Sequence, residues 1–293
     1  MLAGTITVEA KDVCDVIRIE RLRYRYDANP EKTILDDINL AIGENEFTAV
    51  LGQNGSGKTT LLKNISGLLR PLQGMIVIRG MDAGGMSVAE IAGEVGYVMQ
   101  DSDNQLFEQT VYDEVAFALK IPGQKRSREE IRRRAEESLE TLGLLALRDA
   151  FPPSLCKADR VKVVFAAVLA MGAKILILDE PLAGQDGSGS RMIMEILASL
   201  HRKGYTVVLV THNIRIAAEY AQRLVVMKSG RVHLDGSVAD VFERAGELAE
   251  AGILLPRISL LSRELRGHIP LEKTAVSPAA LAEMLVIGKE AGG

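Results

Sequence analysis

Tryptophan is absent from the 293-residue chain, cysteine occurs twice, and aromatic residues make up only 4% of positions. Cys14 and Cys156 lie too far apart to suggest a disulfide framework or a paired zinc spacing, so both read as free thiols. The four histidines are scattered without ligand spacing, and no resident metal cluster is expected. A basic excess is also missing: 35 Lys and Arg face 39 Asp and Glu, a net charge of −4, which disfavours bulk nucleic-acid binding. Long apolar runs are lacking too. The longest charge-free stretches, such as Val163–Ala173, reach eleven residues, short of the ~18 to 20 that cross a bilayer as a helix. The N-terminus shows no basic start, apolar core and small-residue cleavage site, so a cytoplasmic location is expected. What is present suits a folded protein: 47% hydrophobic and 25% charged residues, in a length typical of about two domains at ~150 residues each.

Period-two alternation marks strands at VIRIERLRYRY (16–26), ILDDINLAI and FTAVLG, separated by polar turns. A glycine-rich turn follows, then KTTLLKNISGLL, whose apolar positions recur at helical spacing. MIVIRG and VGYVMQ read as further strands, the latter ending at Gln100. From Thr110 to Met171 the pattern is helical, with Ser127 and Glu130 forming a capping box. Strands return at ILILDEP (175–181) and YTVVLVTH (205–212), with a helix between them, implying a parallel sheet with helices on both faces. LVVMKSGRVHLDG reads as a hairpin turning at Ser229 and Gly230. Beyond about Val241 the chain is helical, with prolines at 256, 270 and 278. The basic run KRSREEIRRR, interleaved with Glu129 and Glu130, reads as a solvated helix face.

Two motifs carry chemistry. Gly52, Gln53, Asn54, Gly55, Ser56, Gly57, Lys58 and Thr59 form GxxxxGK[ST] between a strand and a helix, with Thr60 following. In such a loop the backbone N–H groups wrap phosphates, the lysine reaches the terminal phosphates, and the hydroxyl of Thr59 can ligate magnesium. ILILDEP places Asp179 and Glu180 at the end of an apolar strand. A carboxylate pair there is costly unless a cation or reaction uses it. Asp179 is expected to hold magnesium through water, and Glu180 to act as general base or orient the attacking water.

GQNGSGKTT, Gln100, LDEP, PLAGQD and the Thr211–His212 pair follow one another in the order of ATP-binding-cassette ATPases, which the chain resembles over about residues 18–240. The resemblance implies ATP and Mg2+ as cofactors and an α/β P-loop NTPase fold of ABC type, with an antiparallel β subdomain, a helical subdomain and a small C-terminal helical domain. It also implies that Gln100 senses magnesium and the partner, that His212 contacts the γ-phosphate, and that Asp186 lies in a loop crossing the dimer interface. Tyr26 stands where the family places an aromatic that stacks on adenine; Tyr24, two residues away on the same strand face, competes for that role. The domains expected are an N-terminal extension (1–17), the nucleotide-binding domain (18–240, helical insertion about 101–172) and a dimerisation domain (241–293).

One motif departs from the family. Where LSGGQ is expected, residues 155–162 read LCKADRVK: Cys156 replaces the serine, Lys157 and Ala158 the glycines, and Asp159 the glutamine. A thiol is a poor donor and side chains obstruct backbone approach, which points to a weakened half-site. Lys157 could alternatively offer a cation to the phosphate. The resemblance therefore implies a heterodimer with a second ABC ATPase subunit that keeps an intact signature.

DSDNQLF followed by TVYDEVAF, with the tail LLPRISLLSREL and SPAALAEML, is similar to the ATPases of energy-coupling-factor transporters, which import vitamins and cobalt or nickel ions. That resemblance implies a transmembrane coupling subunit and a substrate-binding membrane subunit as partners, no nucleic acid, and peripheral association with the cytoplasmic face of the cell membrane. The alternative is a soluble or regulatory cassette ATPase acting on DNA, ribosomes or as a scaffold. Such proteins generally carry coiled-coil insertions or two linked cassettes, which the chain lacks.

Overall fold

Apolar alternation builds the first strands, and the computed structural model describes the chain over residues 15–29, 31–120, 126–269, 271 and 273–290. Cys14, Lys125, Pro270 and most of the expected N-terminal extension lie outside these residues. In chain order the elements are β1 (Asp15–Arg25), β2 (Thr33–Gly43), β3 (Phe47–Leu51), α1 (Lys58–Ile65), β4 (Gln73–Ile78), β5 (Met81–Asp82), α2 (Val88–Glu94) and β6 (Val95–Val98). Then come α3 (Val111–Ala118), α4 (Arg128–Thr141), α5 (Lys157–Met171), β7 (Ile175–Asp179), α6 (Gly187–Arg202), β8 (Thr206–Val210) and α7 (Ile214–Tyr220). The remainder is β9 (Arg223–Lys228), β10 (Arg231–Ser237), α8 (Val238–Glu243), α9 (Ala245–Glu250), α10 (Arg257–Leu265) and α11 (Pro278–Glu290).

Two sheets form. The smaller, in the order β2-β1-β4-β5, is antiparallel. The larger runs β10-β9-β3-β8-β7-β6, parallel except for β10, which closes the expected hairpin on β9. Alternation along β7 sends Leu176 and Leu178 to the cluster shared with α3, α4, α5 and α6, and Ile175 and Ile177 to the opposite face. That second face is covered by α1 together with the antiparallel sheet rather than by helices alone. Helices thus lie on both faces as expected, with α1 sharing the second face with the antiparallel sheet.

β1 is not one uninterrupted alternation. Its register shifts between Ile19 and Leu22, where Arg21 takes φ 48° and both partners slip. This bulge lets Ile17, Ile19, Leu22 and Tyr24 all face the core. α2 and α7 have seven residues each, too short for a 3.6-residue period to show, and their caps mark them instead: the Ser87–Glu90 capping box and Asn213.

The boundary expected after residue 240 falls inside α8. Val241, Phe242, Leu248 and Leu255 pack with Leu51, Leu224 and Val226 of the large sheet, whereas α10 and α11 gather a separate small cluster around Leu271, Ala275 and Leu281. Glu243 joins the two, accepting from Arg266 Nη1 and Nη2 at 2.9 and 2.8 Å and from the Thr274 N–H at 2.6 Å.

Candidate functional site

The carboxyl ends of β3, β6, β7 and β8 open on the same edge of the parallel sheet, where open α/β sheets bind their ligands. A cleft of about 530 Å³ there brings together Tyr26, Asn54, Gly55, Gly57, Lys58, Thr59, Thr60, Gln100, Asp179, Glu180 and His212. Gly52, Gln53 and Ser56 shape the loop without lining the cleft. Gly52 packs so tightly that a β-carbon would lie 2.4 Å from the Met227 carbonyl oxygen, and Gly57 starts α1 with φ 104°. Lys58 is buried, its Nζ donating to the carbonyls of Gly52 at 2.8 Å and Gln53 at 3.0 Å. Burial holds its pKa below the usual lysine value, against the opposing pull of Glu180 and Asp179. The loop carbonyls thus fix an ammonium in a partly dry cradle at a helix N-terminus, an arrangement suited to phosphate.

Asp179 is 1% exposed and its Oδ1 has no hydrogen-bond partner. Burial pushes its pKa up, while Thr59 and Lys58 pull the other way. The Tyr97 hydroxyl donates to Oδ2 at 3.5 Å, and burial with the neighbouring carboxylate pushes the phenol far up, keeping it a neutral donor. An orphaned carboxylate oxygen beside a threonine hydroxyl is a hard donor set that fits Mg2+, which binds through one or two protein oxygens plus phosphates. Among the described residues no cluster of three or more His, Cys, Asp or Glu offers a cage of protein ligands alone.

Glu180 leaves β7 with φ 49°, its N–H held by the Val210 carbonyl at 3.0 Å. That left-handed turn swings a nearly buried carboxylate over the cleft, where Oε2 accepts from His212 Nδ1 at 2.9 Å. With a proton on Nδ1 the imidazole donates to this carboxylate, which fixes the ring plane across the cleft. Of the two tyrosines, Tyr26 borders the cleft, with its hydroxyl 3.2 Å from Thr60 Oγ1. Tyr24 is buried against the sheet, edge-on to Tyr26.

The ABC transporter family pattern matches residues 35–183. The chain belongs to the ABC transporter family. The cassette is 38% identical over 258 residues to an energy-coupling factor transporter ATP-binding protein, EcfA2, of Acetivibrio thermocellus, an alignment covering 87% of this chain and 91% of that one. It is 40% identical over 250 residues to a putative ABC transporter ATP-binding protein of Methanosarcina acetivorans, covering 85% of this chain but 40% of the relative, so it spans about two fifths of that protein's length. Among solved structures it matches CbiO1 of Clostridium perfringens, described as part of the ABC transporter complex CbiONQ, with a TM-score of 0.72 and 35% identity, covering 85% of this chain and 99% of that one.

The departing signature of the cassette lies outside its own cleft. Cys156 is the residue before α5 and makes no cap bond; its exposed thiol donates to Asp159 Oδ2 at 3.2 Å. Lys157 folds back over the loop after β7, so close to Gly184 that a β-carbon there would meet Nζ at 2.6 Å. Asp186, at the end of that loop, caps α6 by accepting from the Gly189 N–H at 2.6 Å. On the other side of β6, an apolar groove of about 240 Å³ runs between α2, α3 and α5, with Leu68, Val88, Phe107 and Phe117 exposed along it. The Gln105 side chain accepts from the Met99 N–H at 2.8 Å and donates to the Tyr97 carbonyl at 3.2 Å.

Sequence reading missed Lys32 and Ile34 at the cleft and Tyr97 behind it. Lys32 sits in a polar turn indistinguishable from an ordinary one. Tyr97 reads only as a strand aromatic, because its partner is 82 residues away.

Proposed function

We propose that the cassette is the ATP-hydrolysing subunit of a membrane importer of the energy-coupling-factor type. The observation that carries this reading is the convergence of Lys58, Asp179, Glu180 and His212 at one cleft, beside an exposed apolar groove. ATP enters with its adenine against Tyr26, and the loop N–H groups with Lys58 take the phosphates. Asp179 and Thr59 hold the nucleotide's magnesium ion, with Gln100 reaching from the end of β6. Glu180 accepts a proton from the attacking water, and His212, held through Nδ1 against Glu180, would donate to the γ-phosphate from Nε2 when that nitrogen carries a proton.

A second ABC ATPase with intact LSGGQ completes the site, since Cys156, Lys157 and Ala158 offer neither the serine hydroxyl nor close backbone approach. The resulting heterodimer has one competent and one impaired site. The α10–α11 cluster serves dimerisation, and the groove between α2, α3 and α5 receives a helix of a transmembrane coupling subunit, which works with a substrate-binding membrane subunit. The cassette is thereby held at the cytoplasmic face of the membrane; among the described residues no helix is long and apolar enough to cross a bilayer. Affinity purification of the tagged chain from detergent-solubilised membranes tests this. Recovery of a second cassette and a membrane-spanning subunit is the expected result; recovery of ribosomes, DNA or soluble proteins alone contradicts it.

A further inference from the structure

Tyr97 stands on the wall between the cleft and the groove. In the parallel pair of β6 and β7 it is matched with Ile177, and its ring extends along the same face to Asp179, two residues farther on. The hydroxyl contacts Oδ2 of that carboxylate, leaving Oδ1 without a partner. The same residue lines the groove with Leu68, Val95 and Met99, and its carbonyl is held by Gln105, another groove residue. Phenylalanine would supply the same packing, so the hydroxyl adds something that packing does not require.

We propose that Tyr97 is a positioning residue for the nucleotide's magnesium ion: its hydroxyl fixes Asp179 by one oxygen so that the other faces the ion. As part of the groove wall, it also makes the ion's affinity respond to a helix seated there. This rests on reading the cleft as the Mg·ATP site and the groove as the seat of a membrane-subunit helix. Partners that orient a metal-binding carboxylate typically change metal affinity by about 10 to 100-fold when removed, and a contact as long as 3.5 Å belongs at the lower end.

The test is Tyr97→Phe in the full chain, followed by calorimetry. ATP affinity in EDTA should match wild type within about twofold, while the Mg2+ concentration that half-saturates the ATP complex should rise about tenfold. In the assembled transporter the wild-type half-saturation should move at least about fivefold from its value in the isolated chain, and that of the variant should not. An unchanged magnesium requirement in Tyr97→Phe overturns the positioning role. An assembly shift that is absent from wild type, or equal in both proteins, overturns the link to the groove. Failure of wild type to bind ATP in any condition would instead overturn the underlying reading of the cleft.

Discussion

Lys58 is buried with its ammonium held by two loop carbonyls, poised where terminal phosphates would lie. A charge-assisted hydrogen bond contributes about 1.5 to 3 kcal/mol, so Lys58→Ala should weaken ATP binding roughly ten- to a hundredfold by calorimetry. Equal affinities for variant and wild type would contradict the assignment. Glu180→Gln keeps the shape of the side chain but cannot take a proton from water. In the assembled complex, with the partner's own base removed, turnover should fall by about 100 to 10,000-fold while ATP still binds. Undiminished turnover would refute the role. Both residues were legible because their chemistry is contiguous in sequence: one loop, one strand end. The Glu180–His212 hydrogen bond was only half legible. The two strand ends could be placed side by side from their apolar runs, but the φ of 49° that swings Glu180 toward the imidazole leaves no trace in composition. The contact of Tyr97 with Asp179 was illegible, since it exists only once β6 lies against β7.

Strands and helices stand on packing at particular points, and two of these can be tested. α5 crosses β6 at Gly96, where a β-carbon would come 1.9 Å from Val168 Cγ1. Gly96→Ala should therefore overpack the helical face, destabilising by about 1 to 3 kcal/mol in denaturant unfolding. A neutral result would mean that α5 yields without cost. The second point is Glu243, which ties α8 to the α10–α11 cluster. Its hydrogen bonds with Arg266, followed by those with Thr274, hold its pKa down at about 2, from an ordinary 4.5. A depressed carboxyl stabilises the folded state above the unfolded value and loses that contribution as pH falls through the folded one. Glu243→Gln should thus lower stability near neutral pH by about 1 kcal/mol, a figure discounted for the pair's partial exposure. The gap from wild type should close between pH about 4.5 and 2; a constant gap across that window would contradict the ion-pair account. Alternation revealed the strands, yet the bulge at Arg21 and the packing of α8 and α9 onto the large sheet were hidden. A bulge leaves the apolar residues in place and changes only their register, and a helix's apolar stripe does not name its partner.

The shared nucleotide site is decided at the scale of the whole molecule. In a homodimer both sites would face Cys156, Lys157 and Ala158, and neither would have the serine hydroxyl and close backbone N–H groups that grip a γ-phosphate. On the proposed reading, a partner with an intact signature would restore one site, built from Lys58, Glu180 and His212 on this chain. The substitution was plain in the sequence, but the close approach of Lys157 to Gly184 was not. The most direct test is steady-state ATP turnover by the purified chain alone, compared with the same chain carrying Cys156→Ser, Lys157→Gly and Ala158→Gly. Losing a single preorganised donor to developing charge commonly costs about 100 to 1,000-fold, so the repaired chain should turn over at least about a hundredfold faster than wild type. A wild-type chain that forms an ATP-dependent homodimer and hydrolyses as fast as the repaired variant would contradict the account.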